Sequence, residues 1–555
     1  MDLDLDKVKT QVTTKLFTAK TLAEAGILRP SRPDHILGAV RALIRFGPTP
    51  AGGYTASYER YADDTAIIDE LGTLTFREVH ERTNALAHAL ADDGIGAGDG
   101  VGLMCRNHRG FIDAVIACSK LGANTLFLNT AFSGPQLADV AKREKPKALI
   151  YDHEFEELIH DASRRRKRYI AWHDPEDGEP DDPRMEDLIE GSDASDVSPP
   201  PARGKAIILT SGTTGTPKGA SRSQPRSLDP AAALLAMIPL KAREKTMIAA
   251  PMFHSWGFVH FTLGMSLSST LVLNRKFDPE RTLELTAQHE CTALIVVPVM
   301  MQRILGLPDE VLTRYDLSKL RVVAVSGSAL PGDLSTRWMD LFGDNVYNLY
   351  GSTEVAWASI ATPEDLRAAP GTAGRPPHGT IVKLYDEDGK PVKTGETGRI
   401  FVGNEMQFEG YTGGGGKDVI DGLLSSGDVG HFDDAGRLFV DGRDDDMIVS
   451  GGENVFPAEV EDLLAAHEEI VEVAVFGVED EKFGQRLKAV VVKRDGSSLS
   501  ADDIKTHVKA NLAGYKVPRD VDFMDELPRT STGKVLKREL KEEGEKEEEA
   551  EKQEA

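Results

Sequence analysis

Residues 205–220 read Lys-Ala-Ile-Ile-Leu-Thr-Ser-Gly-Thr-Thr-Gly-Thr-Pro-Lys-Gly-Ala: an apolar, strand-like run (Lys205–Leu209) that opens into hydroxyls and glycines. Gly212, Gly215 and Gly219 let backbone N–H groups converge on an anion with no Cβ in the way. Thr210, Ser211, Thr213, Thr214 and Thr216 add hydroxyl donors, and Lys218 adds a positive charge. A polyphosphate needs this combination. A flexible Ser/Thr/Gly surface loop is the plain alternative, and so dense a set of donors weighs against it. A Walker-type loop is disfavoured, because that pattern has Ser or Thr after Gly-Lys. Here Pro217 precedes the lysine and Gly219 follows it.

Outward from this loop, apolar β-branched runs alternate with helical patterns from Thr73 to about Ala361; Val101–Met104, Met247–Ala250, Leu294–Val299 and Arg321–Val325 are examples. That alternation predicts parallel α/β sheets. Asp174–Arg203 is acidic and proline-rich, a surface connection. After Gly371 the texture changes to short strands and Gly/Asp turns (Asp386–Gly389, Asp433–Gly436), which predicts an antiparallel, barrel-like piece ending near Arg443. Residues 446–540 read strand, helix, strand, helix. The expected fold is therefore α/β: a large N-terminal domain of parallel α/β sheets with a barrel-like β subdomain, and a small C-terminal α/β domain. The expected division is an extension at 1–50, the large domain at 51–444, the small domain at 446–540 and an acidic tail at 541–555. That tail has almost nothing apolar to bury and is expected to be frayed or disordered.

Composition narrows the function. With 555 residues, 40% hydrophobic, the chain can bury a sizeable core in more than one domain. A formal net charge of −25 argues against a nucleic-acid partner. Cys105, Cys118 and Cys291 are sparse and lack metal-type spacing, which fits buried thiols in a reducing cytoplasm. The acidic start, Met1–Asp6, is unlike a secretory signal, and the longest apolar run is too short to span a bilayer. His35–Phe46 reads as an amphipathic helix with Arg41 and Arg45 on its polar side. Such a helix docks on its own domain as a rule, and peripheral membrane contact is the alternative. Composition does not fix the oligomeric state.

The loop at 209–220 resembles the signature of the adenylate-forming (AMP-binding) enzymes, which include acyl-CoA synthetases, luciferases and peptide-synthetase adenylation domains. Further motifs recur in that family's order from about Leu74 to Lys534. Tyr350-Gly-Ser-Thr-Glu354 places a hydroxyl beside a carboxylate, which is costly near a nucleotide unless it binds Mg²⁺. The resemblance implies that Glu354, with Thr214, serves the metal and that Thr353 contacts the α-phosphate. It implies further that Tyr350 stacks on adenine, next to Gly351 and Ser352, with Ser328 and Ala329 on the adenine-side wall. Asp428 matches the ribose-binding aspartate, with Ser426 where most of the family has Thr. Arg443 corresponds to the ribose-contacting arginine and Asp445 to the hinge, which implies that the small C-terminal domain is mobile about residue 445. Lys534, in Pro528-Arg-Thr-Ser-Thr-Gly-Lys534, matches the adenylation lysine, and a cation held there stabilises two anionic groups as they join.

His254, in Pro251-Met-Phe-His-Ser-Trp-Gly-Phe258, sits where family members carry a gating or carboxylate-orienting histidine; a satisfied structural histidine is the competing reading. Amino-acid-activating relatives carry an aspartate there, so this chain points to an acid without an α-amino group. Val259–Leu273 is apolar and suits a hydrocarbon tail or a buried helix equally. The resemblance implies ATP, Mg²⁺ and coenzyme A as cofactors and co-substrates, with Gly451 and Gly452 allowing the pantetheine arm to approach. The expected activity is a fatty-acid–CoA ligase for medium to long chains. A ligase that loads a carrier protein, or one for another non-amino acid, is the alternative.

Overall fold

The computed structural model describes residues 5–162, 166–210, 218–222, 227–406, 408–411, 416–444, 448–450, 453–455, 457–480, 484–512, 514–530, 533–542 and 544. Two sheets carry the large domain. The first runs, neighbour by neighbour, Ser359–Ala361, Val346–Tyr350, Val322–Val325, Ala293–Val296, Lys245–Ile248, Thr270–Leu273, Thr65–Asp69 and Gly72–Thr75. Its middle strands are parallel and its two edges antiparallel. The second runs Phe408–Tyr411, Lys218–Arg222, Ala206–Thr210, Asn124–Phe127, Gly100–Met104, Ala148–Asp152 and Lys167–Trp172, parallel from Ala206–Thr210 onward.

These strands read as unbroken apolar runs because both faces are covered. In Ala148–Asp152, Ala148 and Ile150 face the main core while Leu149 and Tyr151 enter a second cluster on the opposite face. Side chains alternate across a strand with period two, so one strand serves two cores. The helix Phe76–Asp92 starts at a reciprocal cap: Thr75 Oγ1 accepts from the Glu78 N–H, and Glu78 Oε2 accepts from the Thr75 N–H at 2.7 Å. Lys120, on the buried helix Arg109–Leu121, ties the two helices together. Its ammonium donates to His80 O at 3.2 Å, Thr83 Oγ1 at 2.8 Å and Asn84 Oδ1 at 2.5 Å.

The barrel-like piece expected after Gly371 is present. Ile381–Tyr385, Gly398–Gly403, Leu423–Phe432 and Val419–Ile420 form an antiparallel sheet, with Leu438–Arg443 also paired to Leu423–Phe432. The small domain is richer in strand than expected. A long antiparallel pair, Ile470–Asp480 with Gly484–Lys493, is joined by Ile448–Ser450, Glu453–Val455 and a parallel strand, Asp520–Met524. The helices Pro457–Ala465 and Ala501–Asn511 supply its core through Val460, Leu464, Ile504 and Val508.

Three helices precede the first strand: α1 (Leu5–Glu24), α2 (Pro33–Phe46) and α3 (Pro50–Tyr61). The helix expected at 35–46 is α2, and it docks on α3. Its orientation departs from the usual rule, because Gly38, Ala42 and Phe46 face inward while its larger aliphatic side chains are exposed. The physical reason is close approach: a Cβ on Gly38 would come within 2.3 Å of the Glu59 carboxylate on α3. Among the described residues, no helix is long and apolar enough to cross a membrane. All three cysteines are free and buried.

Candidate active site

The C-terminal ends of the first sheet's parallel strands converge on one edge, where open α/β sheets bind ligands. Lys245–Ile248 leads into Pro251–His254, Val322–Val325 into Ser326–Ala329, and Val346–Tyr350 into Gly351–Glu354. Ser328 and Ala329 are exposed at this edge. Gly351 must be glycine, since an added Cβ would lie 2.2 Å from the Ala356 carbonyl oxygen.

Four of the residues singled out in the sequence meet here: Tyr350, Ser426, Asp428 and Arg443. Asp428 and Arg443 are register partners on the antiparallel strands Leu423–Phe432 and Leu438–Arg443. Arg443 Nε lies 3.8 Å from Asp428 Oδ1, and the Tyr350 hydroxyl donates to Asp428 Oδ2 at 2.5 Å and lies 3.1 Å from Ser426 Oγ. Burial pushes the Asp428 carboxyl above its ordinary range, while the Tyr350 hydroxyl, Arg443, Lys534 and Lys417 pull it back. Burial and Asp428 also push the Tyr350 phenol well up, so it stays a donor. The hydroxyl of Ser426 accordingly does contact the site.

Glu354 is held by two groups. Ser352 Oγ donates to its Oε2 at 2.9 Å, and Tyr411 Oη donates to its Oε1 at 2.7 Å. Tyr411 escaped the sequence reading, because its partner is 57 residues away. It stands opposite Ala220 on the strand Lys218–Arg222, which leaves the glycine–threonine loop. Lys218 in turn pairs with Thr210 across the hairpin that encloses the loop. Glu354, Thr353, which is half-buried beside it, and the surrounding hydroxyls form a hard-oxygen donor set that fits Mg²⁺.

The small domain reaches the same edge. Arg529 and Val535 bridge across a tight turn, and the Lys534 N–H donates to Thr530 Oγ1 at 3.1 Å. The turn packs so closely on the large domain that a Cβ on Gly533 would fall 2.1 Å from Val299 Cγ1. Lys534 is near enough to Asp428 to lower its proton affinity. Gln302 Nε2 donates to Val471 O at 3.2 Å beside this contact.

His254 occupies the N-cap position of the helix Ser255–Leu267 without a side-chain capping bond, and burial lowers its pKa to about 4, so the ring is neutral at physiological pH. The segment carrying it is fixed from a distance. Asn107 Nδ2 donates to Ile248 O at 3.1 Å and Ala250 O at 2.9 Å, and its Oδ1 accepts from Met252 N at 2.8 Å. The run Cys105–Gly110 is thus a structural clamp: His108 caps the helix Arg109–Leu121 and donates from Nε2 to Asp152 at 2.8 Å. Val259–Leu273 resolves into most of the helix Ser255–Leu267 and the strand Thr270–Leu273, largely buried in the main core. Ser211, Gly212, Thr213, Thr214, Gly215, Asp445, Gly451 and Gly452 lie outside the described residues, as do the side chains of Thr210 and Lys218.

A two-sheet α/β domain with its polar groups at the strand ends, a barrel-like sheet, and a small domain lending a lysine to that edge is the plan of the adenylate-forming enzymes. The chain belongs to the AMP-binding enzyme family: that family's model matches residues 54–412, and the model of the AMP-binding enzyme C-terminal domain matches residues 459–534. A feruloyl-CoA synthase of Amycolatopsis sp is 34% identical over 88% of this chain and 98% of its own. A long-chain-fatty-acid–CoA ligase of Yersinia pestis is 30% identical over 87% of this chain and 92% of its own. Among solved structures, o-succinylbenzoate CoA synthetase from Bacillus subtilis, in complex with an acyl-adenylate intermediate, superimposes with a TM-score of 0.76. It is 26% identical, covering 88% of this chain and 97% of that one.

Proposed function

We propose that the chain is an AMP-forming acid–coenzyme A ligase acting on an apolar carboxylic acid without an α-amino group. In the first half-reaction a carboxylate oxygen of the acid bonds to the α-phosphorus of ATP, the bond to the pyrophosphate oxygen breaks, and acyl-AMP forms. In the second, the thiolate sulfur of coenzyme A bonds to the acyl carbon and AMP leaves. A divalent metal, when bound, neutralises phosphate charge. The chain's own groups divide the remaining work. Tyr350, Asp428 and Arg443 hold the nucleoside, Glu354 offers the metal ligand with Thr214, and Thr353 contacts the α-phosphate. Lys534 offsets the repulsion between carboxylate and phosphate. His254, neutral and half-buried, orients or gates the acid without adding charge. The observation that carries this reading is the seating of the Lys534 turn of the small domain against Val299 of the large one, on the large domain that also carries the Asp428–Arg443 pair.

One lysine cannot occupy the site while a thiol enters it. Rotation about Asp445 would withdraw Lys534 and bring Gly451 and Gly452 to the pantetheine arm. The expected result for Lys534→Ala is loss of acid-dependent pyrophosphate exchange with retention of thioester formation from supplied acyl-AMP. Survival of both half-reactions would remove Lys534 from the mechanism. Coenzyme A is favoured over a carrier protein because the family resemblance implies an extra insertion before the hinge in carrier-loading relatives, and the run from Gly371 to Asp428 leaves little room for one.

A medium- to long-chain fatty acid is the first candidate substrate. An aryl-substituted acid is the second, favoured by the rings clustered at the start of the helix Ser255–Leu267. Phe127 and Phe258 centroids stand 4.8 Å apart there, and Phe253 and His254 stand 4.4 Å apart. A panel of saturated fatty acids and phenylpropenoic acids, assayed for coenzyme A-dependent AMP release, separates the two.

A further inference from the structure

The helix α2 is turned the opposite way from a helix that serves its own core. Ile36, Leu37, Val40, Leu43 and Ile44 recur at i, i+1, i+4, i+7 and i+8, the spacing of one helical face. They are 45%, 65%, 48%, 43% and 75% exposed, respectively. The face toward α3 is made of Gly38, Ala42 and Phe46. Burying the larger aliphatics inward would gain more from the hydrophobic effect, so their outward placement leaves an apolar stripe that folding does not use.

The charge around this stripe also departs from the rest of the chain. Residues 27–47 hold Arg29, Arg32, Arg41 and Arg45 against a single acid, Asp34, so the segment carries 4 − 1 = +3 within a chain of −25. Arg41 is exposed at the edge of the stripe, and Arg32 is 74% exposed where it pairs with Asp34. Arg45 turns back to Asp196 at 3.0 Å and leaves the apolar arc clear. At physiological ionic strength the Debye length is about 8 Å, so a surface against this helix senses its local positive charge more than the distant negative total.

We propose that α2 is an interfacial helix that seats this face of the protein on an anionic lipid surface. Its aliphatics enter the headgroup–acyl boundary and Arg41, at the edge of the stripe, meets the lipid phosphates. The inference is independent of which acid the enzyme activates.

The test is flotation of the full chain with vesicles of phosphatidylcholine containing one-third phosphatidylglycerol, beside vesicles of phosphatidylcholine alone. The wild-type chain should float with the anionic vesicles and partition at least tenfold less onto the neutral ones. Leu37→Glu/Ile44→Glu should lower partition at least tenfold, and Arg41→Glu severalfold. Both positions of the double variant are already open to solvent, so melting temperature and ATP consumption in solution should be unchanged. Failure of the wild-type chain to float, or equal flotation of wild type and double variant, overturns the proposal. So does a self-association of the wild-type chain that the double variant abolishes while neither chain binds vesicles, which would make the stripe an interface between copies.

Discussion

Replacing Asn107 by alanine should cost far more than a surface amide is worth, and should damage one substrate site and not the other. The side chain makes three hydrogen bonds to the backbone of residues 248–252, at 3.1, 2.9 and 2.8 Å. Ile248, Ala250 and Met252 are all fully buried. Each neutral bond is worth about 1 kcal/mol net, so the sum is about 3 kcal/mol, rising toward about 5 kcal/mol if water does not replace the lost partners. Asn107→Asp should be worse, because it keeps the acceptor for Met252 but turns a buried carboxylate toward two carbonyl oxygens. Urea denaturation gives the stability. Steady-state kinetics should show a higher KM for the acid, since His254 lies two residues beyond Met252, with the KM for ATP nearly unchanged. A stability loss below about 1 kcal/mol, or equal rises in both KM values, would refute the clamp.

Three further outcomes follow from geometry already described. Tyr411→Phe removes one bond to Glu354; at about 1 kcal/mol it should raise the KM for Mg·ATP roughly fivefold with little change for the acid, and a selective acid effect would contradict it. Burial lowers the Lys120 pKa from 10.5 to about 7, so between those values the unfolded chain holds a proton that the folded chain lacks. Stability from this group therefore rises with pH across that window and is lost as pH falls through 7, by at most about 1.4 kcal/mol per pH unit. Lys120→Met should flatten the slope in urea titrations at pH 7–9.5, and parallel curves for the two proteins would count against it. Burial pushes the Cys118 and Cys291 thiols up to about 12 and Cys105 well above its usual range. Iodoacetamide should label none of the three until urea unfolds the chain, as mass spectrometry would report.

What the sequence made legible was whatever sits in one continuous stretch. The loop after Lys205–Leu209, the tyrosine-to-glutamate turn at 350–354 and the Asp428 and Arg443 positions were readable because each follows a strand or stands at a fixed place in a short motif. Asn107 and Tyr411 were not readable as site-builders. Their partners come from segments 141–145 and 57 residues away, and neither residue type announces such a bond. The run 105–110 serves as scaffolding through Asn107 and His108, and its letters do not announce that, because a buried polar cluster and a binding motif share a composition. The periodicity of α2 was correct, but periodicity gives the arc of a helix and not the side on which the neighbour lies. Gly38 and Ala42 decided that by letting α3 approach.

The seat of the Lys534 turn on Val299 has a consequence for how the enzyme can fail. At Gly533 the two domains are separated by less than the width of a methyl group. On the two-step reading, Gly533→Ala would leave every chemical group intact and wedge the turn outward, giving a protein that completes the thioester from a ready-made adenylate but cannot make that adenylate. Timing, not reactivity, would be the lesion.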